Sequence, residues 1–159
     1  MALDTVEAAL AAEGVTEVIV VTRGRTEFAA LGARVIDDPG TGLNAAIARG
    51  VSAAPGPTAV LLGDHPALAA YELADALGLA ADYPRSLVAD SDGTGSALTA
   101  SLGTHVHAFG VGSRAAHIAA GYVELVGDWP GLRRDVDTAE QLRRLPGLGR
   151  HTLRLLGEH

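Results

Sequence analysis

Leu3, Val6 and Leu10 fall on one face of a helix, and Gly14 stands where that helix should stop. Residues 17–22 then form an apolar run without helical period, the pattern of a buried strand. The alternation repeats along the chain. Residues 33–37 read as a strand and 43–53 as a helix, and Pro55-Gly56-Pro57 breaks the chain before the strong strand 58–62. Residues 68–79 predict a helix. Residues 86–89 and 97–102 predict two strands joined by the turn-rich stretch from Asp90 to Ser96. A short helix over 113–120, a strand over 122–126 and a strand-like stretch over 133–136 follow. Thr138 and Gln141 match a capping box opening a last helix, which Pro146-Gly147 interrupts. Helices and strands that alternate in this way predict a single α/β domain over residues 1–159, three-layered and Rossmann-like around a mostly parallel mixed sheet. The opening helix has no strand before it to cross over from, so the first strand of the sheet is read as missing.

At 159 residues the chain is long enough to bury a core, and its longest apolar runs, such as 18–21 and 59–62, fall far short of the roughly 18 residues of a membrane span. Acids at Asp4, Glu7 and Glu13, with no basic stretch among the first residues, do not make a signal peptide, so a soluble cytoplasmic protein is expected. Cysteine is absent, which rules out disulfides, thiolate metal sites and cysteine nucleophiles. The formal charge is −7, the wrong sign for tracking a nucleic-acid backbone. All twelve basic residues are Arg, so no step can use a lysine of this chain.

Asp64, Asp90 and the Asp135/Asp137 pair each follow an expected strand, and ligands of open α/β sheets bind beyond the carboxyl ends of strands. Carboxylates gathered there around a phosphate ligand imply a divalent cation, and Mg²⁺ suits an oxygen-only donor set. The competing reading is that each Asp caps the next helix or turn. Gly93-Thr94-Gly95-Ser96 can form an anion nest or simply a hairpin turn, and Phe109 to Ser113 leads into a helix whose N-terminus can face an anion. Arg114 is either a further contact to that anion or a solvated surface residue. The loop from Asp38 to Asn44 is long enough to fold over a nucleotide, though Asn44 is equally a cap or turn residue. His105 and His107 alternate and can face a metal, but a hairpin surface explains them better. There is no Ser-His-Asp order and no nucleophile elbow.

Taken in order, Gly42-Leu43-Asn44, Gly63-Asp64-His65-Pro66-Ala67-Leu68, Val88-Ala89-Asp90 with Gly93 to Ser96, Phe109 to Ser113 with His117, and Trp129 to Thr138 resemble the phosphoenolpyruvate / 2-phospho-L-lactate guanylyltransferase family. The resemblance spans nearly the whole chain. It implies a nucleotide-diphospho-sugar transferase fold of the glycosyltransferase A type. It also implies transfer of GMP from GTP to phosphoenolpyruvate or 2-phospho-L-lactate, with release of pyrophosphate, in coenzyme F(420) biosynthesis. Carried over by position, Asp64 and Asp135 would be catalytic and hold Mg²⁺, with Asp137 assisting. Ser96, Gly110 and Ser113 would bind the small phosphorylated three-carbon acid, and Gly42, Leu43 and Asn44 would lie at the nucleotide.

Three departures from the family pattern are visible. The strand, loop and helix that in the family precede this region, and bring a Lys and an Arg to the triphosphate, have no counterpart among these residues, which would leave apolar sheet surface uncovered. Ser96 stands where the phosphoenolpyruvate branch tends to carry Thr, and His65 where a Leu is usual. Two rival expectations follow: a non-catalytic relative that binds a nucleotide or pairs as a homodimer over the exposed sheet, and a related nucleotidyltransferase with another acceptor.

Overall fold

The computed structural model describes residues 1–24 and 27–157. The first part of the chain builds α1 (Ala2–Ala11), β1 (Ile19–Thr22), α2 (Glu27–Ala30), β2 (Arg34–Asp37) and α3 (Leu43–Ala53). The second part contributes β3 (Thr58–Leu61), α4 (Ala70–Ala80), β4 (Arg85–Ala89) and β5 (Ser96–Ser101). After these come α5 (Ser113–Ala119), β6 (Val123–Glu124), α6 (Pro130–Arg133), α7 (Ala139–Arg144) and α8 (Arg150–Leu156). The expected alternation is present, and α3 has the expected bounds. No described helix is long and apolar enough to cross a membrane.

The strands form two sheets. β1 pairs in parallel with β2, from Ile19 opposite Arg34 to Thr22 opposite Asp37. The other sheet has the order β3-β5-β4-β6, with β5 antiparallel to both neighbours and β6 parallel to β4. The fold is therefore mixed, as expected, with β5 reversed by the loop after Asp90. Its division into two sheets is the feature the pattern did not specify. β1 and β3 do not pair, and an apolar cleft of about 660 Å³ lies between them, lined among others by Val18, Val20, Val51, Val60 and Leu62. This open flank explains why β1, expected to be buried, is only half-buried.

β4 and β5 carry the main core. Leu87, Leu98 and Leu132 are almost wholly removed from water, each contributing about 2 kcal/mol of transfer free energy. Leu73, Ala76 and Ala80 of α4 close over Val88, Leu98 and Ala100, with Trp129 and Leu132 packed at one end. Separate, smaller clusters lie under α1 (Val6, Phe28, Ala33) and beside α3 (Ile47, Val60, Phe109).

Residues 133–136, expected to be strand-like, instead finish α6 and continue as an irregular segment. Pro130 at the first helical position pre-sets the turn, and Trp129 anchors it by donating its indole N–H to Asp75 at 2.7 Å. Glu72 fastens the same turn to α4. Its buried carboxylate accepts the Ala69 N–H at 3.0 Å with one oxygen and the Gly131 N–H at 2.9 Å with the other. Only glycine fits at 131, because a Cβ there would collide with the Ala67 carbonyl and the Glu72 carboxylate. The last helix is tied back similarly: Asp4 accepts from the backbone of His151 and Thr152, both at 2.8 Å, and from the Thr152 hydroxyl.

Glu72→Ala leaves two N–H groups without partners, one of them buried, and should lower the unfolding free energy by about 2–3 kcal/mol. Urea titration followed by far-UV circular dichroism measures this, and an unchanged midpoint would show that α6 is held mainly by apolar packing.

Candidate functional site

Beyond the end of β3 the chain runs through Leu62 and Gly63 to Asp64, and its backbone there is held from several sides. The Thr5 hydroxyl donates to the Gly63 carbonyl at 3.3 Å and accepts the His65 N–H at 3.2 Å. The Val136 N–H donates to the Asp64 carbonyl at 3.1 Å, and the Gly149 N–H to Pro66 at 2.8 Å. The Val136 bond sets Asp135 and Asp137 beside Asp64. One carboxylate oxygen from each of the three acids lies within 4.8 Å of the others.

None of these acids is spent on capping. The N-cap of α4 is Ala69, and the N-cap of α7 is Thr138, whose hydroxyl accepts the Gln141 N–H while Gln141 accepts from Asp137 and Thr138. One Asp64 oxygen is buried and has no hydrogen-bond partner. His65 lies 3.5 Å from it but is no counter-charge, because burial holds its pKa below the ordinary 6.5 against the pull of Asp64 and Asp135. Burial, with Asp64 and Asp137 nearby, raises the Asp135 pKa. An orphaned oxygen and neighbouring carboxylates with no cation among them fit a hard divalent ion such as Mg²⁺.

A pocket of about 160 Å³ adjoins this cluster, and Asp135 lines it together with Leu43, Ser96, Gly110 and Ser113. Gly110, at φ 131°, takes a backbone conformation that side-chain-bearing residues rarely adopt. Ser96 and Ser113 are locked to each other, the Ser96 N–H donating to the Ser113 hydroxyl oxygen at 2.9 Å. The Ser113 hydroxyl proton is thereby left to point elsewhere.

Several expectations change here. Asp90 lines the pocket but does not join the carboxylate cluster, since its two oxygens accept the N–H groups of Thr94 at 3.0 Å and Gly95 at 2.8 Å. The stretch from Gly93 to Ser96 is accordingly no anion nest: the N–H groups of Thr94, Gly95 and Ser96 already serve Asp90 and Ser113. The N–H groups of Ser113 and Arg114 at the start of α5 are likewise satisfied, by Gly110 and Thr94. Arg114 is paired with Glu124, so it does not reach into the pocket as a free cation. Asn44 is neither a free nucleotide contact nor a cap. Its amide donates to the Phe109 carbonyl at 3.0 Å and accepts the Phe109 N–H at 2.9 Å, pinning the backbone next to Gly110. Gly42 is the N-cap of α3 and, with Leu43, remains exposed at the pocket side of that helix. His105, expected on a hairpin surface, is buried against Thr58, to whose hydroxyl its Nε2 lies at 2.6 Å.

Glu72 carries no candidate role in the sequence, and His117 enters it only within the family resemblance, without a role of its own. Glu72 occupies the third position of a helix, where a carboxylate reaches back to the cap. His117 lies four residues after Ser113, on the same face of a helix.

The MobA-like NTP transferase domain matches residues 1–148. A phosphoenolpyruvate guanylyltransferase of Geodermatophilus obscurus is 48% identical over 162 residues, covering 97% of this chain and 75% of the relative. The protein of the same name from Salinispora arenicola is 45% identical over 168 residues, covering 99% and 78%. That of Streptomyces coelicolor is 47% identical over 160 residues, covering 93% and 76%.

Two measurements check the electrostatics. Because the folded-state pKa of Asp135 is raised, its ionisation opposes folding at neutral pH, and this cost disappears only as pH falls below the unfolded value. Asp135→Asn should therefore raise the melting temperature at pH 7.5 in EDTA, while added Mg²⁺ should raise that of the parent protein and leave the variant unmoved. A lower melting temperature for the variant in EDTA would refute the argument. His65, His105, His107 and His117 all have pKa values lowered by burial from 6.5. The stability that their neutral forms permit is complete above 6.5 and lost as pH falls through the lower folded values. The urea midpoint should drop between pH 7.5 and 5.5, and a flat profile would show these histidines to be protonated in place.

Proposed function

The chain belongs to the phosphoenolpyruvate guanylyltransferases, within the MobA-like NTP transferase family, and from that membership we propose that it transfers GMP from GTP to phosphoenolpyruvate with release of pyrophosphate. The observation that carries this reading to individual residues is that Asp135 faces both ways: it belongs to the carboxylate trio with Asp64 and Asp137, and it lines the Ser96–Gly110–Ser113 pocket. A metal-held nucleotide and a small acid would thus be neighbours.

The transfer is a substitution at phosphorus. An oxygen of the acceptor phosphate bonds to the α-phosphorus of GTP while the bond from that phosphorus to the bridging β-oxygen breaks, and the electron pair leaves with pyrophosphate. The attacking phosphate is already anionic, so no general base is required, and His65, the histidine that lines the pocket, need not take a proton. Alignment and charge compensation are what remains for the protein to supply.

Asp64 and Asp135, with Asp137 assisting, would hold Mg²⁺, which when bound offsets the charge of the phosphates. The Ser113 hydroxyl proton, free of its Ser96 contact, is available to an acceptor oxygen, and Gly110 lets the backbone come close. At about 160 Å³ the pocket is well below the roughly 300 Å³ at which drug-sized ligand sites begin, which favours a three-carbon acid over a sugar or a second nucleotide. Gly42 and Leu43 would flank the nucleotide, while Asn44 holds Phe109 and so the wall of the acceptor pocket. The protein would act in the cytoplasm, and the product would feed coenzyme F(420) biosynthesis.

Pyrophosphate release from GTP and Mg²⁺, with phosphoenolpyruvate and 2-phospho-L-lactate offered separately, tests the assignment. Phosphoenolpyruvate should be the better acceptor, and Asp64→Ala or Asp135→Ala should reduce turnover by about a hundredfold or more. Turnover that survives either substitution, or none with either acid, would overturn it.

A further inference from the structure

His117 is wholly buried, does not line the acceptor pocket, and is four residues beyond Ser113 on α5. That spacing turns both side chains to the same neighbour, Ser96 at the start of β5. Ser113 takes the Ser96 amide, and His117 takes its hydroxyl, with Nδ1 at 2.9 Å from Oγ. A serine hydroxyl has one proton. If Ser96 gives that proton to Nδ1, only lone pairs remain towards the pocket, and an anionic oxygen is repelled. If Nδ1 carries the hydrogen and donates it, the Ser96 proton is free for the pocket.

The other ring nitrogen decides between these states. Nε2 is buried without a partner, in a ring packed edge-on against Phe109 at 5.0 Å and tilted against Tyr122 at 5.1 Å. The Tyr122 hydroxyl is already engaged with the backbone of Val106, accepting its N–H at 2.9 Å. The backbone carbonyls of Ser113 and Val106 lie near the ring and favour a proton on it, but neither meets Nε2 in hydrogen-bond geometry, and Val106 already accepts the Tyr122 hydroxyl at 3.4 Å. A hydrogen on Nε2 would be a buried donor without a formed bond, a situation rarer in folded proteins than an unpaired acceptor. The bare lone pair therefore belongs on Nε2 and the hydrogen on Nδ1.

We propose that His117 is a positioning residue: its Nδ1–H holds the Ser96 oxygen and turns the Ser96 hydroxyl proton into the acceptor pocket, making Ser96 a donor to an anionic oxygen of the bound acid. This rests on the reading of that pocket as the acceptor site, while the tautomer itself does not. His117 touches no reacting atom.

The tautomer is read directly by long-range ¹⁵N–¹H correlation on histidine-labelled protein, assigned by loss of the signal in His117→Asn. An Nδ1–H pattern is expected, and an Nε2–H pattern overturns the proposal. Kinetics supply the second test. Asn at 117 can place an amide N–H near the Nδ1 position, so His117→Asn should keep KM for phosphoenolpyruvate within about threefold of the parent. His117→Leu should raise that KM about 10- to 100-fold, the worth of one charge-assisted hydrogen bond, with KM for GTP little changed. Ser96→Ala should match His117→Leu, and the double variant should be no worse than either. Additive losses, equal losses for both substrates, or failure of Asn to rescue would make His117 a packing residue only. If the parent chain binds no phosphoenolpyruvate, the assignment of the pocket fails, and the NMR pattern still decides the tautomer.

Discussion

Glu72 puts both carboxylate oxygens, out of reach of water, on the N–H groups of Ala69 and Gly131, and through them the loop after β3 is joined to the segment that carries Asp135 and Asp137. The Val136 N–H on the Asp64 carbonyl completes the junction. Without this clamp the three acids would sit on two irregular segments with every reason to part, since like charges close together repel and one Asp64 oxygen has no donor. The raised pKa of Asp135 is the trace of that conflict, with burial the larger cause. A site of this kind is held together against its own electrostatics by hydrogen bonds made elsewhere, and a bound cation would relieve it.

The pocket lined by Ser96, Gly110 and Ser113 is built differently. Most polar groups around it are turned on one another: Asp90 on the Thr94 and Gly95 amides, Ser113 on Ser96, Asn44 on Phe109, Arg114 on Glu124. Arg133 is similarly occupied, donating to the carbonyls of Ala89 and Asp90 at 3.1 Å each. These bonds fix shape and leave few groups for a ligand, chiefly the serine hydroxyls, the backbone at Gly110, the Asp135 carboxylate and the His65 ring. Preorganised donors are worth more than mobile ones, because their ordering is complete before the ligand arrives.

The two sheets divide the stability of the molecule. The β3-β5-β4-β6 sheet is covered by α4, and its central strands are closed to water. The β1-β2 pair rests on a separate, smaller cluster beneath α1 and faces the apolar cleft. Local opening should cost least where buried apolar contacts are fewest, so amides of β1 and β2 belong to the more readily exchanging part and those of β4 and β5 to the least. The carboxylate trio is fastened to the firmer half, while Leu43 at the start of α3 lines the pocket that Asp135 shares.

Much of the fold was legible because local rules govern it. The period of the apolar residues marked α1, α3, α4 and the main strands, Pro55-Gly56-Pro57 marked the break before β3, and Thr138 with Gln141 marked the cap of α7. The sequence by itself also determined the chemistry on offer: no thiol, no lysine, and acids after the strands. Spacing could not say which acids meet. Asp64 and Asp135 are distant in sequence and are brought together by a tertiary backbone bond, whereas Asp90, equally well placed on paper, is drawn away by two amides of its own turn. Residues 133–136 read as strand-like by themselves, yet Pro130, Trp129 and the Glu72 clamp wind their beginning into α6. Asn44 and His117 received their roles only from the partners that folding supplied, because what a side-chain amide or imidazole does is set by the donor or acceptor across from it.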